Sequence, residues 1–99
     1  MAKQVEWTLG AQHDRRDIFE YWNLRNKSNN YSRKLNLLFK ENIKLISKHP
    51  KIGRLFGRDD IRISIVRDYL IVYKEMKDSI RILSIWDSRQ DPDKLGKKV

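Results

Sequence analysis

The residues of this chain best suited to chemistry are its cations, and they are unevenly distributed. The 99 residues include 22 Lys and Arg against 13 Asp and Glu, a formal net charge of +9. Ten of the basic residues but only one acid, Glu41, lie between positions 21 and 58. A domain with so asymmetric a charge attracts polyanions or acidic proteins. The alternative is a solvated helix face whose lysines maintain solubility.

The chain offers little else for catalysis or metal binding. It contains no cysteine, which excludes a disulfide, a thiolate nucleophile and a cysteine-based zinc site. His13 and His49 lack the spacing of metal ligands, and we expect no metal or other cofactor. With no signal peptide and no apolar run of membrane-spanning length, we expect a cytoplasmic protein with no membrane contact. Its length predicts a single domain, 1–99.

A short strand and a first helix are predicted at the start of the chain. Val5, Trp7 and Leu9 alternate with polar residues, as in a strand with one buried face. Thr8 is placed to cap a helix that extends to about Arg25.

A second helix and an irregular linker follow. The helix is expected to begin with a cap near Asn29 or Asn30 and to end at Pro50. Gly53 and Gly57 predict that residues 49–60 are irregular and exposed.

The apolar period then changes to two, which predicts three strands around residues 61–65, 69–73 and 80–86. The breaks between them are too short for parallel crossovers, so the strands should form an antiparallel meander. The expected fold is α+β, with the order β-α-α-β-β-β and an antiparallel four-stranded sheet carrying a helical hairpin on one face. Residues 87–99 are predicted to be a polar tail, too polar for the core, or a short closing helix.

Several segments, taken in order along the chain, resemble the RelE/ParE superfamily of toxins. They are Trp7-Thr8, Pro50-Lys51-Ile52-Gly53, Asp68-Tyr69-Leu70-Ile71-Val72-Tyr73 and Ile82-Leu83-Ser84-Ile85-Trp86-Asp87-Ser88-Arg89-Gln90-Asp91-Pro92. No single segment is specific, but the ordered set extends over nearly the whole chain. The resemblance implies the toxin of a type II toxin–antitoxin pair, held inactive by a cognate antitoxin.

One branch of that superfamily cleaves messenger RNA on the ribosome. Cleavage through the 2′-hydroxyl needs a base, a cation for the developing phosphorane charge and an acid for the leaving oxygen. In the RelE branch, basic residues on the sheet and a C-terminal Tyr or His fill these roles. By resemblance, the catalytic candidates here are Arg62, Arg81 and Arg89.

Two of the roles in RNA cleavage are unfilled in this sequence. Leu70 stands where those ribonucleases have Arg after the aromatic residue of the middle strand, and no Tyr or His follows Tyr73. The closing segment instead resembles ParE-type and plasmid-stabilisation toxins, a branch associated with poisoning of DNA gyrase. We therefore expect a toxin that binds and inhibits gyrase rather than an enzyme. A RelE-like, ribosome-dependent mRNA endoribonuclease that needs no metal is the alternative.

The expected partners are a cognate antitoxin and either gyrase or the ribosome with its message, with toxin and antitoxin forming a hetero-oligomer. An acidic antitoxin segment, extended or helical, would match the positive charge. The residues predicted to contact the antitoxin or the target are Lys44, Lys48, Lys51, Arg54, Arg58, Arg62 and Arg89.

Structural interpretations of the same arginines stay open. The candidate partners are Asp59, Asp60 or Asp87 for Arg62, Glu75 for Arg81, and Asp87 or Asp91 for Arg89. Alternation along the strand places Arg62 on the face opposite Ile61 and Ile63. The three tryptophans are expected to pack in the interior.

Overall fold

A computed structural model describes residues 2–57, 59–90, 94 and 95. The elements are β1 (Gln4–Trp7), α1 (Leu9–Asn26), α2 (Asn30–Lys48), β2 (Arg54–Leu55), β3 (Ile61–Val66), β4 (Tyr69–Glu75) and β5 (Ser79–Asp87). The strands form one five-stranded sheet in the order β1-β5-β4-β3-β2. The α+β class and the antiparallel meander of β3, β4 and β5 agree with the sequence-based expectation.

The predicted four-stranded antiparallel sheet is wrong in two respects. β1 lies parallel to β5, with Val5 opposite Ile80, and β2 adds a fifth strand inside the linker that was expected to be irregular. The short turns that predicted an antiparallel sheet join β3, β4 and β5, and they place no constraint on β1. Two helices separate β1 from the meander, and so long a connection allows a parallel pairing with the last strand.

Local signals account for the ends of α1. Thr8 caps the helix as predicted, because its Oγ1 accepts a hydrogen bond from the backbone N–H of Ala11 at 3.1 Å. Leu9, predicted to belong to the strand, is the first residue of α1 and is 75% exposed. The helix ends at Asn26, and Lys27 terminates it in the left-handed region with a φ of 51°.

Turn residues and a proline delimit α2. The helix begins at Asn30, next to the predicted cap Asn29, although the capping hydroxyl belongs to Ser28, whose Oγ accepts from the N–H of Asn30 at 3.1 Å. It ends at Lys48, two residues before Pro50, which has no N–H with which to continue the helix.

The two helices cover one face of the sheet and enclose the larger core. Its buried residues are Ala11, Leu35, Phe39, Ile43, Ile46, Val66, Tyr69, Ile71, Tyr73, Ile80, Ile82 and Ile85. Trp22 packs against this core, contacts the ring of Tyr31 and donates its Nε1–H to the Tyr69 hydroxyl at 2.7 Å. Trp7 also packs there, so both tryptophans have the packing role expected of them.

The opposite face of the sheet carries a second, smaller core. Val72, Trp86 and Leu95 are buried in it, with Leu70 and Leu83 packed alongside. The expectation that the tail after β5 is too polar for the core is therefore wrong for Leu95, which is 1% exposed. Lys94 and Leu95 are helical, while residues 91–93 and 96–99 lie outside the described residues, so the closing helix stays a prediction.

Helix α1 is hydrogen-bonded to the sheet at a register irregularity in β5. Val72 pairs with Ser84 and Tyr73 with Ile82, which leaves one extra residue on β5. The Asp14 carboxylate of α1 accepts hydrogen bonds there from Ser84 Oγ at 2.8 Å and from the N–H of Ile85 at 3.2 Å. These bonds set the position of the helical hairpin relative to the strands.

Candidate functional site

The loop of residues 49–57, which we call the exit loop, is anchored to the sheet by one tyrosine. The Tyr73 hydroxyl donates to the carbonyl oxygen of Pro50 at 2.8 Å and accepts from the N–H of Gly53 at 2.9 Å. Tyr73 is fully buried on β4, and burial raises the pKa of its phenol, partly offset by the Gly53 hydrogen bond. The phenol therefore stays protonated and joins the loop to the sheet.

Gly53 is required by the closeness of this contact. A Cβ at this position would lie 2.5 Å from the Tyr73 hydroxyl oxygen and 2.9 Å from the carbonyl oxygen of Ile63. The Pro-x-x-Gly segment at the end of α2 is thus explained by close packing of the loop backbone against the sheet. A tyrosine in the middle of an apolar strand, which needs a partner for its hydroxyl, was the signal for this contact, and the sequence reasoning missed it.

Arg62 attaches the same loop from β3. Its guanidinium donates to the carbonyl oxygens of Gly53 at 2.7 Å and Lys51 at 3.2 Å. The predicted orientation is correct, because Arg62 lies opposite Tyr73 in the ladder, on the face away from the Ile61 and Ile63 side chains. The suggested aspartate partners are wrong: the side chain is bound to loop carbonyls instead.

Arg81 pairs with a residue of β1, whose place in the sheet the sequence analysis left unspecified. Its guanidinium lies 3.4 Å from the Glu6 carboxylate on β1, and both side chains are about half exposed. The predicted pair with Glu75 is wrong because Glu75 binds Lys3 at 2.9 Å. The hydrogen bond from Lys3 lowers the pKa of the Glu75 carboxyl. Insertion of β1 beside β5 brings Glu6 into register with Arg81.

Arg89 forms the predicted salt-bridged turn with Asp87. Its Nε and one terminal nitrogen donate to the two carboxylate oxygens at 3.0 and 2.8 Å, and its backbone N–H donates at 2.9 Å. The pKa of the Asp87 carboxyl is lowered by the side-chain hydrogen bond from Arg89, and the pKa of the guanidinium is raised in turn. Asp91, the other suggested partner, lies outside the described residues.

The three arginines that RNA cleavage would use do not converge. Arg62 shares the helix-covered face of the sheet with Tyr73, whereas Arg81 is in register with Lys74 and therefore lies on the opposite face. Arg89 follows the far end of β5, about 20 Å of strand beyond Arg81. A single phosphate could not contact all three.

An exposed apolar surface lies along one flank of α2. We call it the apolar trough, formed by Leu38, Leu45, Ile52 and Val66, with Ile65 at the adjoining edge of β3. Two cavities of about 360 and 760 Å³ meet at Leu45, one beside the end of β3 and one beside the exit loop. Leu45, Ile52 and Ile65 are 42%, 51% and 67% exposed. Exposed apolar residues gathered at a sheet edge are typical of a protein interface.

The backbone beside the trough has an edge that another strand could extend. β2 pairs with Arg62 and Ile63 of β3, so residues 64–66 continue past the end of β2. An edge of this kind can accept an added strand.

The predicted binding cations are divided among different places. Lys48 and Lys51 border the trough, Arg54 is exposed on β2, and Lys44 is exposed on the other flank of α2. Arg62 is bound to the exit loop and Arg89 to Asp87, and Arg58 lies outside the described residues.

Across residues 2–57, 59–90, 94 and 95, no three acidic or histidine side chains gather as potential metal ligands. The helices within this part of the chain are also too short or too polar to cross a membrane.

The fold defines a small α+β protein with a helical hairpin on a mixed sheet, and comparison with known proteins gives its family. The family model described as the ParE toxin of the type II toxin–antitoxin system parDE matches residues 5–92. The chain therefore belongs to the ParE toxin family, as the resemblance had implied.

A solved structure has the same fold. It is a chain from the chromosomal ParDE toxin–antitoxin system of P. aeruginosa, with a TM-score of 0.74 and 17% sequence identity over 87% of this chain and 96% of that one. No curated protein sequence matches the chain.

Proposed function

We propose that this chain is the toxin of a ParDE-type pair, that it acts by binding and inhibiting DNA gyrase, and that a cognate antitoxin neutralises it. Membership of the ParE toxin family supports the toxin assignment. We favour an inhibitor over a ribonuclease because Arg62, Arg81 and Arg89 are separated over two faces and two ends of the sheet. Stabilisation of a transition-state phosphate needs donors that converge on one point.

The middle strand supports the same choice. Leu70, which stands where RelE-type ribonucleases have Arg, packs with the second core. Tyr73, the last tyrosine of the chain, is buried with its hydroxyl bonded to the exit loop. Neither position offers a group for proton transfer to RNA.

A supercoiling assay with purified gyrase holoenzyme and relaxed plasmid tests the proposed target. We expect micromolar toxin to inhibit supercoiling and to leave cleaved plasmid after the gyrase is denatured. A parallel reaction without gyrase should leave the plasmid intact, which separates inhibition from nuclease activity. Full supercoiling without cleaved DNA would contradict the proposal.

Growth inhibition by an Arg81 variant distinguishes the proposed gyrase inhibitor from the alternative, a ribonuclease. Arg81→Gln removes a half-exposed cation whose carboxylate partner is Glu6. The control Lys77→Gln removes an exposed cation from the turn between β4 and β5. A gyrase inhibitor should tolerate both changes. Loss of toxicity in Arg81→Gln alone, together with codon-positioned 5′ ends in messages after induction of the natural chain, would indicate a ribonuclease.

The apolar trough is the surface we propose for the antitoxin. Its exposed apolar side chains suit an apolar segment. The cations Lys48, Lys51 and Arg67 border it, as do Glu41 and Glu75, and Glu75 is neutralised by Lys3. The net charge of +9 disfavours a second copy of this chain there and favours an acidic partner. An extended acidic segment could also pair with residues 64–66 of β3.

A further inference from the structure

A second surface with a different chemistry lies between the two helices. We call it the hairpin groove, a cavity of about 770 Å³. Its polar lining includes Gln12, His13, Arg15, Arg16, Asn23 and Lys40. Glu20 is the one acid among its lining residues, and Leu9 and Phe19 are the large apolar ones. The groove therefore combines amides and cations with an apolar surface of about the same extent.

The cations of the groove are held by groups other than carboxylates. The Arg15 guanidinium carbon lies 4.2 Å above the centre of the Trp7 ring, which orients the group by cation–π stacking. Arg16 donates to His13 Nδ1 at 2.6 Å. The salt bridges among the described residues involve Lys3, Arg81 and Arg89, and none includes Arg15, Arg16 or Lys40. These cations are thus available to an external anion.

The positive surface continues along α2 towards β1. A neighbouring cavity of about 360 Å³ shares Arg15 and Lys40 with the groove and adds Lys44 and Ser47 above an apolar floor of Val5, Trp7 and Ile43. Lys40 and Lys44 are one helical turn apart, a rise of about 6 Å, so they form a short row of cations. Such a row can follow successive phosphates of a nucleic-acid backbone.

We propose that the hairpin groove binds the phosphodiester backbone of duplex nucleic acid without sequence preference. Guanidinium and amide donors suit phosphate oxygens, and Arg in particular can donate two parallel hydrogen bonds to them. Polar and apolar atoms contribute about equally to the groove, whereas apolar atoms predominate in the apolar trough, which is therefore the better surface for an amphipathic polypeptide.

Fluorescence anisotropy with a labelled 20-base-pair DNA duplex tests the groove, with two unrelated sequences and salt between 50 and 200 mM. The groove variant is Arg16→Gln/Lys40→Gln, which leaves the Arg15–Trp7 stack in place. The matched control is Lys27→Gln/Lys77→Gln, which removes the same charge from exposed positions outside the groove. The assay contains no gyrase, so its outcome is independent of the proposed target.

We expect the natural chain to bind both duplexes equally. The groove variant should bind about tenfold more weakly at 50 mM salt. Its affinity should also depend less steeply on salt concentration, by the equivalent of about two phosphate contacts. The control should keep the natural slope and most of the affinity. Equal losses in the two double variants would overturn the proposal, because net charge alone would then account for binding. Polyglutamate binding through the groove, lost in the same variant, would also overturn it in favour of an acidic polypeptide.

Discussion

The two flanks of α2 present different surfaces to solvent. On one flank, Leu38 and Leu45 meet the end of β3 and the exit loop in the apolar trough. On the other, Lys40 and Lys44 face α1 and β1 beside the hairpin groove. The buried stripe of the helix, which includes Leu35 and Phe39, separates the two. One helix can therefore serve two ligands of different chemistry, since its inner face alone is needed for the core.

The flanks also differ in what supports them. The trough depends on the exit loop, which hydrogen bonds from Tyr73 and Arg62 hold against the sheet. The groove depends on the packing of α1 against α2 and on Asp14, which attaches α1 to β5. A change in the exit loop should therefore affect the trough and leave the groove unchanged.

The largest expected effect is that of Gly53→Ala on stability. The new methyl would overlap the Tyr73 hydroxyl and the Ile63 carbonyl, so unfolding should become easier by about 2–4 kcal/mol. In the control Gly10→Ala, the Cβ would meet Thr8 Oγ1 at 3.9 Å, and helix stability should rise by about 0.5–1 kcal/mol. Urea unfolding measures both changes. If Gly53→Ala unfolded at the same urea concentration as the natural chain, Gly53 would not be closely packed.

A smaller effect is expected for antitoxin binding when the trough is charged. Leu45→Glu places a carboxylate in the apolar surface, where the two cavities meet, and should weaken binding about 30-fold, equivalent to about 2 kcal/mol. Leu24→Glu is the control, because Leu24 is 80% exposed on α1 and does not line the trough. Calorimetric titration with the proposed cognate antitoxin measures both. Equal affinities would place the antitoxin elsewhere, and duplex DNA binding should be unchanged in either variant.

The smallest effect concerns the salt bridge beside the trough. Lys3 lowers the pKa of Glu75 below its usual value of 4.5, so the pair stabilises the folded state above that pH. This stability is lost as the pH falls through the folded-state pKa. The free energy of unfolding of the natural chain should fall between pH 6 and pH 3. In Lys3→Met this fall should be smaller, by less than about 1 kcal/mol. Lys77→Met should show the natural pH dependence; an unchanged slope in Lys3→Met would contradict the pair.

Much of the local structure could be predicted from particular residues. Thr8 marks the start of α1, and Pro50 follows the end of α2. The apolar period of residues 69–73 marks β4, whose side chains are buried on both faces of the sheet. Each of these signals acts through the backbone of its own segment, and so it can be read without knowledge of the neighbours.

The partners of the charged and polar side chains could not be predicted in the same way. Glu6 and Arg81 are 75 positions apart, and Tyr73 meets Gly53 across 20. Such pairs depend on which strand lies beside which, and several carboxylates were equally plausible partners for each arginine. The parallel position of β1 decided the pair of Glu6 and Arg81, and no local pattern specified that position.

The sequence by itself determined the family resemblance, the two helices, the antiparallel meander and the shortage of groups for RNA cleavage, because residue identities and short-range periodicity are enough for these. Tertiary structure decided that the three candidate arginines are separated, that Gly53 lies against Tyr73, and that the excess cations of α2 divide between the trough and the groove. The physical reason is that a binding surface consists of side chains from several elements. Its chemistry is defined only when packing brings those elements together.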